Sequence, residues 1–353
     1  MLILKALIIL SLILIIVIYL SQSTTKWFVS KTLRTPDSCF DNLTDYPFKA
    51  NYIESLGYRM HYLDEGPQDG QVILLLHGQP SWSYLYRHMI PILSAAGYRV
   101  IAPDNVGFGK SDKPVNQSAH NYQMHIDVMN QFIEQLELQD ITLFAQDWGG
   151  LIGLRVVVKS PDRFARIMIS NTTLPAASGI KGWLGFPLFK LLVWKEGHVE
   201  TLNTDKNNFS FTQWVAYAQT TTSFDFNTLF QKATSRHLSD SELAGYTAPF
   251  PSNEYISGVR KFPTMVTSQL RQNNNVMKTF YKNWNKPLLT AFGADDIIMK
   301  GRDEIWQNTV PGAKNQDHTL INGGAHFIQE DKPEELVERL IKFIDQNPLK
   351  QST

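Results

Sequence analysis

The run Ile141-Thr142-Leu143-Phe144-Ala145-Gln146-Asp147-Trp148-Gly149 constrains this chain more than any other segment. The apolar residues Ile141 to Phe144 read as a buried strand. Gly150-Leu151-Ile152-Gly153-Leu154-Arg155 reads as the start of a helix, and the small residues Ala145 and Gly149 flank a tight turn between the two. A strand-to-helix turn of this kind thrusts its central residue into a pocket beside a helix N-terminus. Here that residue is Asp147, and an aspartate restricts the chemistry. A serine attacking a saturated carbon gives an ether that activated water does not cleave. A carboxylate attacking the same carbon gives an ester, and water can cleave it at the enzyme's own carbonyl. The residue type therefore points to displacement at a saturated carbon, with a halide or an epoxide oxygen as leaving group. An aspartate after a strand is also a common helix N-cap, so its partners must separate the two uses.

The rest of the chain supplies them. From Tyr52 onward, strands and helices alternate. Tyr52–Leu56 and Tyr58–Tyr62 form a hairpin with Gly57 at the turn. Strands follow at Val72–Leu76 and Arg99–Ala102, with a helix over Ser81–Ala95, and a helix over Tyr122–Leu136 precedes the elbow strand. Further strands lie at Arg166–Ser170, Pro287–Phe292 and Thr319–Ile321, and a closing helix spans Pro333–Phe343. This alternation predicts an α/β fold, a mostly parallel sheet with helices on both faces. It lapses over residues 174–255, which read as a helical cap above the carboxyl ends of the strands, where such sheets bind ligands. The core is then 47–173 and 256–348.

Hydrolysis of an enzyme ester needs a histidine to activate water and an acid to hold that histidine. Two loops after strands offer them, in the order nucleophile, acid, histidine. Gly293-Ala294-Asp295-Asp296 carries two candidate acids, and Asn322-Gly323-Gly324-Ala325-His326-Phe327 carries the histidine. Asn171, at the end of the preceding strand, is not an acid. His77 also follows a strand but precedes the elbow, and is read as shaping its loop. Backbone N–H groups of Trp148 and Gln79 would form an oxyanion hole. A leaving halide calls for directional donors in a dry pocket, which an indole N–H on an apolar body supplies. Trp148 and the cap residue Trp214 are the candidates, with the Gln79 side-chain amide as a further donor.

The chain has 353 residues, 43% of them hydrophobic, enough for one large core with a lid. Thirty-three basic residues balance thirty-three acidic ones, which excludes a nucleic-acid footprint, and the single cysteine, Cys39, excludes an intrachain disulfide. Residues 2 to 20 are apolar apart from Lys5 and Ser11, about the length that spans a bilayer. Residues 1–22 are expected to be a single-pass membrane anchor, or else a signal peptide, with 23–46 as a linker. Lys26, Lys31 and Arg34 place the catalytic domain on the cytoplasmic side.

At this point the chain resembles the haloalkane dehalogenases of the α/β-hydrolase fold, in the branch whose catalytic acid follows the seventh strand. The matching stretches are His77-Gly78-Gln79-Pro80-Ser81-Trp82, Ala102-Pro103-Asp104, Gly107-Phe108-Gly109-Lys110-Ser111-Asp112-Lys113-Pro114 and Gln146-Asp147-Trp148-Gly149-Gly150. Phe211-Thr212-Gln213-Trp214, Ala248-Pro249-Phe250-Pro251 and Gly258-Val259-Arg260-Lys261-Phe262-Pro263 continue the likeness, which covers roughly residues 46 to 346. The resemblance implies Asp147 as nucleophile, His326 as base and Asp296, rather than Asp295, as its orienting acid. It implies halide binding by Trp148 and Trp214, a small apolar halogenated substrate plus water, and no metal or organic cofactor. Gln79 stands where the family has a glutamate or asparagine. The amino-terminal segment and the stretch Gly182–Asn208 also depart from it. Two other readings remain at this stage. An epoxide hydrolase would use the same nucleophile with lid tyrosines as acids, for which Tyr217, Tyr246 and Tyr255 are candidates. A non-catalytic, membrane-tethered binding protein would not need the complete acid–base–nucleophile set.

Overall fold

The structure, a computed structural model, describes residues 31–203 and 209–349. Eight strands form one sheet: β1 (Asn51–Ser55), β2 (Tyr58–Glu65), β3 (Val72–Leu76), β4 (Arg99–Pro103), β5 (Ile141–Gln146), β6 (Phe164–Ser170), β7 (Leu288–Gly293) and β8 (Thr319–Ile321). Across the sheet they run β8-β7-β6-β5-β3-β4-β2-β1. The hairpin strands β1 and β2 are antiparallel to their neighbours, and every other pairing is parallel. The central strands β5 and β7 are buried at every position, as parallel strands covered on both faces must be, and their near-continuous apolar sequences follow from that. The β1–β2 turn places Leu56 and Gly57 at φ 48° and 82°. Two successive positive φ values match the twist of a two-residue hairpin, which is why a glycine sits there.

Helices α1 (Met89–Ala95), α2 (Tyr122–Gln135) and α3 (Trp148–Lys159) connect the first five strands and β6. The expected continuous helix over Ser81–Ala95 is instead a 3-10 turn, Ser83–Tyr86, followed by α1. Pro91 explains the break. It has no N–H to donate to the Arg87 carbonyl, so it is accommodated in the first turn of a new helix. Helix α2 begins where expected, its first turn capped by the Asn121 side chain, which accepts from Met124 N–H at 2.9 Å.

After β6 come α4 (Gly179–Glu196), α5 (Phe211–Thr220), α6 (Phe226–Ala233) and α7 (Asp240–Thr247), with no strand among the described residues of 174–255. α8 (Ser257–Met265) and α9 (Leu270–Thr279) lead to β7. α10 (Asp303–Thr309) lies between β7 and β8, and α11 (Ile328–Asp331) and α12 (Pro333–Gln346) close the chain.

The helices above the sheet grip the loop after β8. Phe327 N–H donates to Ala233 O at 2.9 Å, and the Phe230 and Phe327 rings lie 4.9 Å apart. Arg236 Nε donates to Glu330 O at 2.7 Å, while the buried Arg87 guanidinium pairs with Glu330 and with Glu242 of α7. Removing one partner of a buried ion pair leaves an uncompensated charge, so these contacts fix the upper helices relative to the β8 loop.

The expectation of a single-pass membrane protein with a cytoplasmic catalytic domain is corrected. Its anchor, residues 2–20, lies outside the described residues, and among the described residues no helix is long and apolar enough to cross a membrane. The 18-residue α4 spans only about 27 Å at 1.5 Å per residue, and it carries Lys181, Lys190, Lys195 and Glu196.

Candidate active site

Asp147 sits between β5 and α3 with φ 49° and ψ −126°, a conformation in which a non-glycine residue is strained. The turn survives because its surroundings leave room only for the backbone. A Cβ on Gly149 would come within 2.0 Å of Leu76 O, and one on Gly78 within 2.3 Å of Asp147 Oδ1. The small residues of the elbow are therefore required by the close approach of β3. Thr172 Oγ1 donates to Asp147 O at 2.6 Å, and Asp147 N–H donates to Asn171 O at 3.1 Å.

The carboxylate of Asp147 faces His326, with Oδ2 3.6 Å from Nε2. On its other side, His326 Nδ1 lies 3.0 Å from Asp296 Oδ2. The second oxygen of Asp296 accepts Ile298 N–H at 2.8 Å and Met299 N–H at 3.3 Å, so the acid is held by backbone donors from its own loop. Asp295, by contrast, is exposed, and its backbone N–H pairs with Gly324 O. Burial alone would disfavour a charged imidazole. The Asp296 charge outweighs it, together with the interaction with Asp147, and His326 is pushed up to about 10.

A stability consequence follows from the sign of that shift. Folded His326 holds its proton more tightly than an unfolded histidine, so this group stabilises the fold fully below about pH 6.5. The contribution is lost as pH rises towards 10. Thermal midpoints across that window are expected to fall more steeply for the parent protein than for His326→Gln. Parallel pH curves would contradict the linkage.

Gln79 contributes through its backbone: its N–H donates to Asp147 Oδ1 at 2.8 Å. The backbone N–H of Trp148 is the first of α3, where no helical carbonyl is available to accept it. The Gln79 side chain gives one amide hydrogen to Val259 O at 3.1 Å. His77 is buried, with Nδ1 against Gly78 O at 2.8 Å and Nε2 accepting Asn105 N–H at 2.9 Å; it shapes the loop after β3, and burial lowers its basicity.

Asp147, His326, Asp296, Trp148, Trp214 and Gln79 all line one cavity of about 910 Å³. Trp148 is buried, packed edge-on to Tyr122 and tilted against Phe262. Trp214 of α5 packs on Tyr217 and Phe224. Neither indole N–H has a protein acceptor among the described residues. The lid tyrosines of the alternative reading are not among the residues that line this cavity. Tyr217 OH accepts from Asp225 N–H at 2.7 Å, and Tyr246 OH is buried against Glu330.

Two residues escaped the sequence reading. Asn171 Nδ2 donates to Ala325 O at 2.8 Å and His326 O at 3.0 Å, while its Oδ1 accepts Gly293 N–H at 2.8 Å. One residue thus ties three loops together, the acid and histidine loops through its side chain and the nucleophile through its backbone carbonyl, which accepts Asp147 N–H. Gln146 Nε2 donates to His326 O at 3.0 Å.

Comparison with known proteins agrees with this geometry. Residues 71–333 match the model of the alpha/beta hydrolase fold. A haloalkane dehalogenase of Psychrobacter cryohalolentis is 43% identical over 327 residues, covering 90% of this chain and 99% of that protein. One from Mycolicibacterium paratuberculosis is 41% identical, covering 88% and 97%. Among solved structures, the tetrameric haloalkane dehalogenase DpaA of Paraglaciecola agarilytica is 30% identical and superposes with a TM-score of 0.72, covering 88% of this chain and 97% of its own. Nearly the full length of each relative is thus matched. With a carboxylate at the elbow, a histidine and second carboxylate behind it, and this sequence likeness along most of its length, the chain belongs to the haloalkane dehalogenases of the α/β-hydrolase fold, which convert haloalkanes and water to alcohol and halide.

Proposed function

We propose that Asp147 is the nucleophile of this dehalogenation and that the reaction runs through a covalent aspartyl ester. The observation that carries the reading is the line of groups Asp147, His326 and Asp296 on the wall of a cavity that also holds two indoles with no protein acceptor among the described residues. Asp147 attacks the halogen-bearing carbon in line, the C–O bond forms as the carbon–halogen bond breaks, and the halide leaves with the bonding pair. The N–H groups of Trp148 and Trp214 receive it, with the free amide hydrogen of Gln79 as a further donor. The mostly apolar wall, including Leu151, Leu174 and Val266, excludes water and strengthens those contacts.

Attack also prepares the second step. Esterification removes the charge of Asp147, one of the two negative partners that keep His326 protonated, so the imidazolium gives its proton up to solvent and the neutral ring becomes a base. It takes a proton from water, Asp296 stabilises the imidazolium, and hydroxide adds to the ester carbonyl. The backbone N–H groups of Gln79 and Trp148 hold the resulting oxyanion. On collapse the imidazolium gives its proton to the departing alkoxide, which leaves as the alcohol, and the Asp147 acid returns its proton to His326, which restores the carboxylate and the imidazolium. Residues 174–255 act as the cap, with 47–173 and 256–348 as the core that supplies the nucleophile, acid and base.

The protein incubated separately with a bromoalkane and with an epoxide is expected to release bromide from the first. Diol formation without bromide release would transfer the assignment to epoxide opening. Trp214→Phe keeps the ring but deletes the donor. It is expected to weaken bromide binding about tenfold, the value of one hydrogen bond to an anion, read as product inhibition. Unchanged inhibition would remove Trp214 from the halide site.

A further inference from the structure

The cavity that starts at Asp147 also reaches four cationic side chains that the dehalogenation mechanism does not use. Lys278 lies on α9, Lys282 four residues further on, Arg302 just before α10, and Lys232 on α6. All four are exposed, and none has an ion pair or side-chain hydrogen bond among the described residues. Of the acids lining the same cavity, Asp147 and Asp296 are engaged with His326, which leaves only Asp295 to offset the four cations. The whole chain carries equal numbers of basic and acidic residues, so this excess is local. Like-signed charges around a cleft with low-dielectric walls focus the field into it and raise the local concentration of anions.

A simple haloalkane is uncharged and would gain nothing from such a mouth. At about 910 Å³ the cavity also lies near the upper end for small-molecule sites, well beyond what a short haloalkane fills. Most of the remaining wall is apolar, with Leu151, Val266 and Met277 among its residues. We infer that the enzyme acts on amphiphilic haloalkanes, with a halogenated carbon at Asp147, an alkyl chain along the apolar wall, and an anionic group such as a carboxylate among Lys232, Lys278, Lys282 and Arg302. Lysine suits this use, because its mobile, hydrated ammonium follows an anion without demanding a fixed geometry. The inference rests on the dehalogenase reading and narrows its substrate class.

The test compares an ω-bromoalkanoate with the bromoalkane of equal chain length, in parent protein and in the double variant Lys278→Glu/Lys282→Glu, at low and high salt. Both positions are exposed and outside the reacting groups, so the variant is expected to fold and to keep its kcat/KM for the neutral bromoalkane. The parent is expected to favour the bromoalkanoate at low salt and to lose that preference as salt screens the mouth. In the variant, kcat/KM for the bromoalkanoate is expected to fall about tenfold, the combined effect of two exposed charges reversed. An unchanged ratio between the two substrates would overturn the inference. So would a variant that alters only inhibition by bromide, since the cations would then serve the departing halide. Bromide release from the neutral substrate alone would leave the dehalogenase reading standing while the substrate class fails. Release from neither substrate would overturn both.

Discussion

Asp147→Asn is expected to abolish bromide release, by at least ~10⁴-fold in kcat/KM, the scale on which removing a nucleophile acts. The reason is chemical rather than steric. An amide of the same shape can still accept the Gln79 N–H that now meets Oδ1 at 2.8 Å, so the strained turn at φ 49° keeps its partners. What it lacks is the negative charge that attacks a saturated carbon, and no neighbouring group can take over. Asp296 lies behind the imidazole, and Asp295 is exposed to solvent. The variant should remain folded, with its thermal transition near that of the parent, which separates lost chemistry from lost structure. Turnover within about tenfold of the parent would place the nucleophile elsewhere.

His326→Ala should separate the two half-reactions. Halide displacement needs only the carboxylate and the halide donors, so the first turnover is expected to proceed and release one bromide per active site. Hydrolysis needs a base, and the loss of one typically costs ~10²–10⁴-fold. The ester should therefore accumulate, visible as the mass of the alkyl group on the peptide carrying Asp147. The same trapping is expected in His326→Gln. A variant that turns over normally, or stops without any added mass, would show that His326 is not the base for ester hydrolysis.

How much of this was legible in the sequence depends on how local each feature is. The elbow is local: an apolar strand, small residues around Asp147 and a helix start within a dozen positions. The placement of Asp296 and His326 was legible because both loops follow strands whose apolar runs are unmistakable. The choice of Asp296 over Asp295 came only from family likeness, since two adjacent acids look alike until the loop is folded. Asn171 was invisible for the opposite reason. A strand-end residue that is not an acid carries no local signal of its own, yet it bonds the backbone of Ala325 and His326, 154 and 155 positions away. A side chain that positions loops through their carbonyls leaves no composition or spacing signal. From the sequence the Gln79 side-chain amide is a further halide donor, and the fold spends one of its hydrogens on Val259, 180 positions distant. The break at Pro91 is readable in principle from its missing N–H, but the largely apolar and aromatic run on either side conceals it. The lid tyrosines were plausible acids by location alone. Their hydroxyl partners, Asp225 N–H for Tyr217 and Glu330 for Tyr246, could be known only from tertiary structure.

The central claim is that the oxygen in the alcohol comes from Asp147 and that water replaces it on the enzyme. A single turnover with enzyme in excess, run in isotopically heavy-oxygen water, tests it most directly. The mechanism predicts an alcohol with ordinary oxygen and one heavy oxygen on the peptide containing Asp147, because the ester is cleaved at the enzyme's carbonyl. Heavy oxygen in the alcohol of the first turnover, with Asp147 unlabelled, would mean that water attacks the substrate carbon itself and would contradict the account.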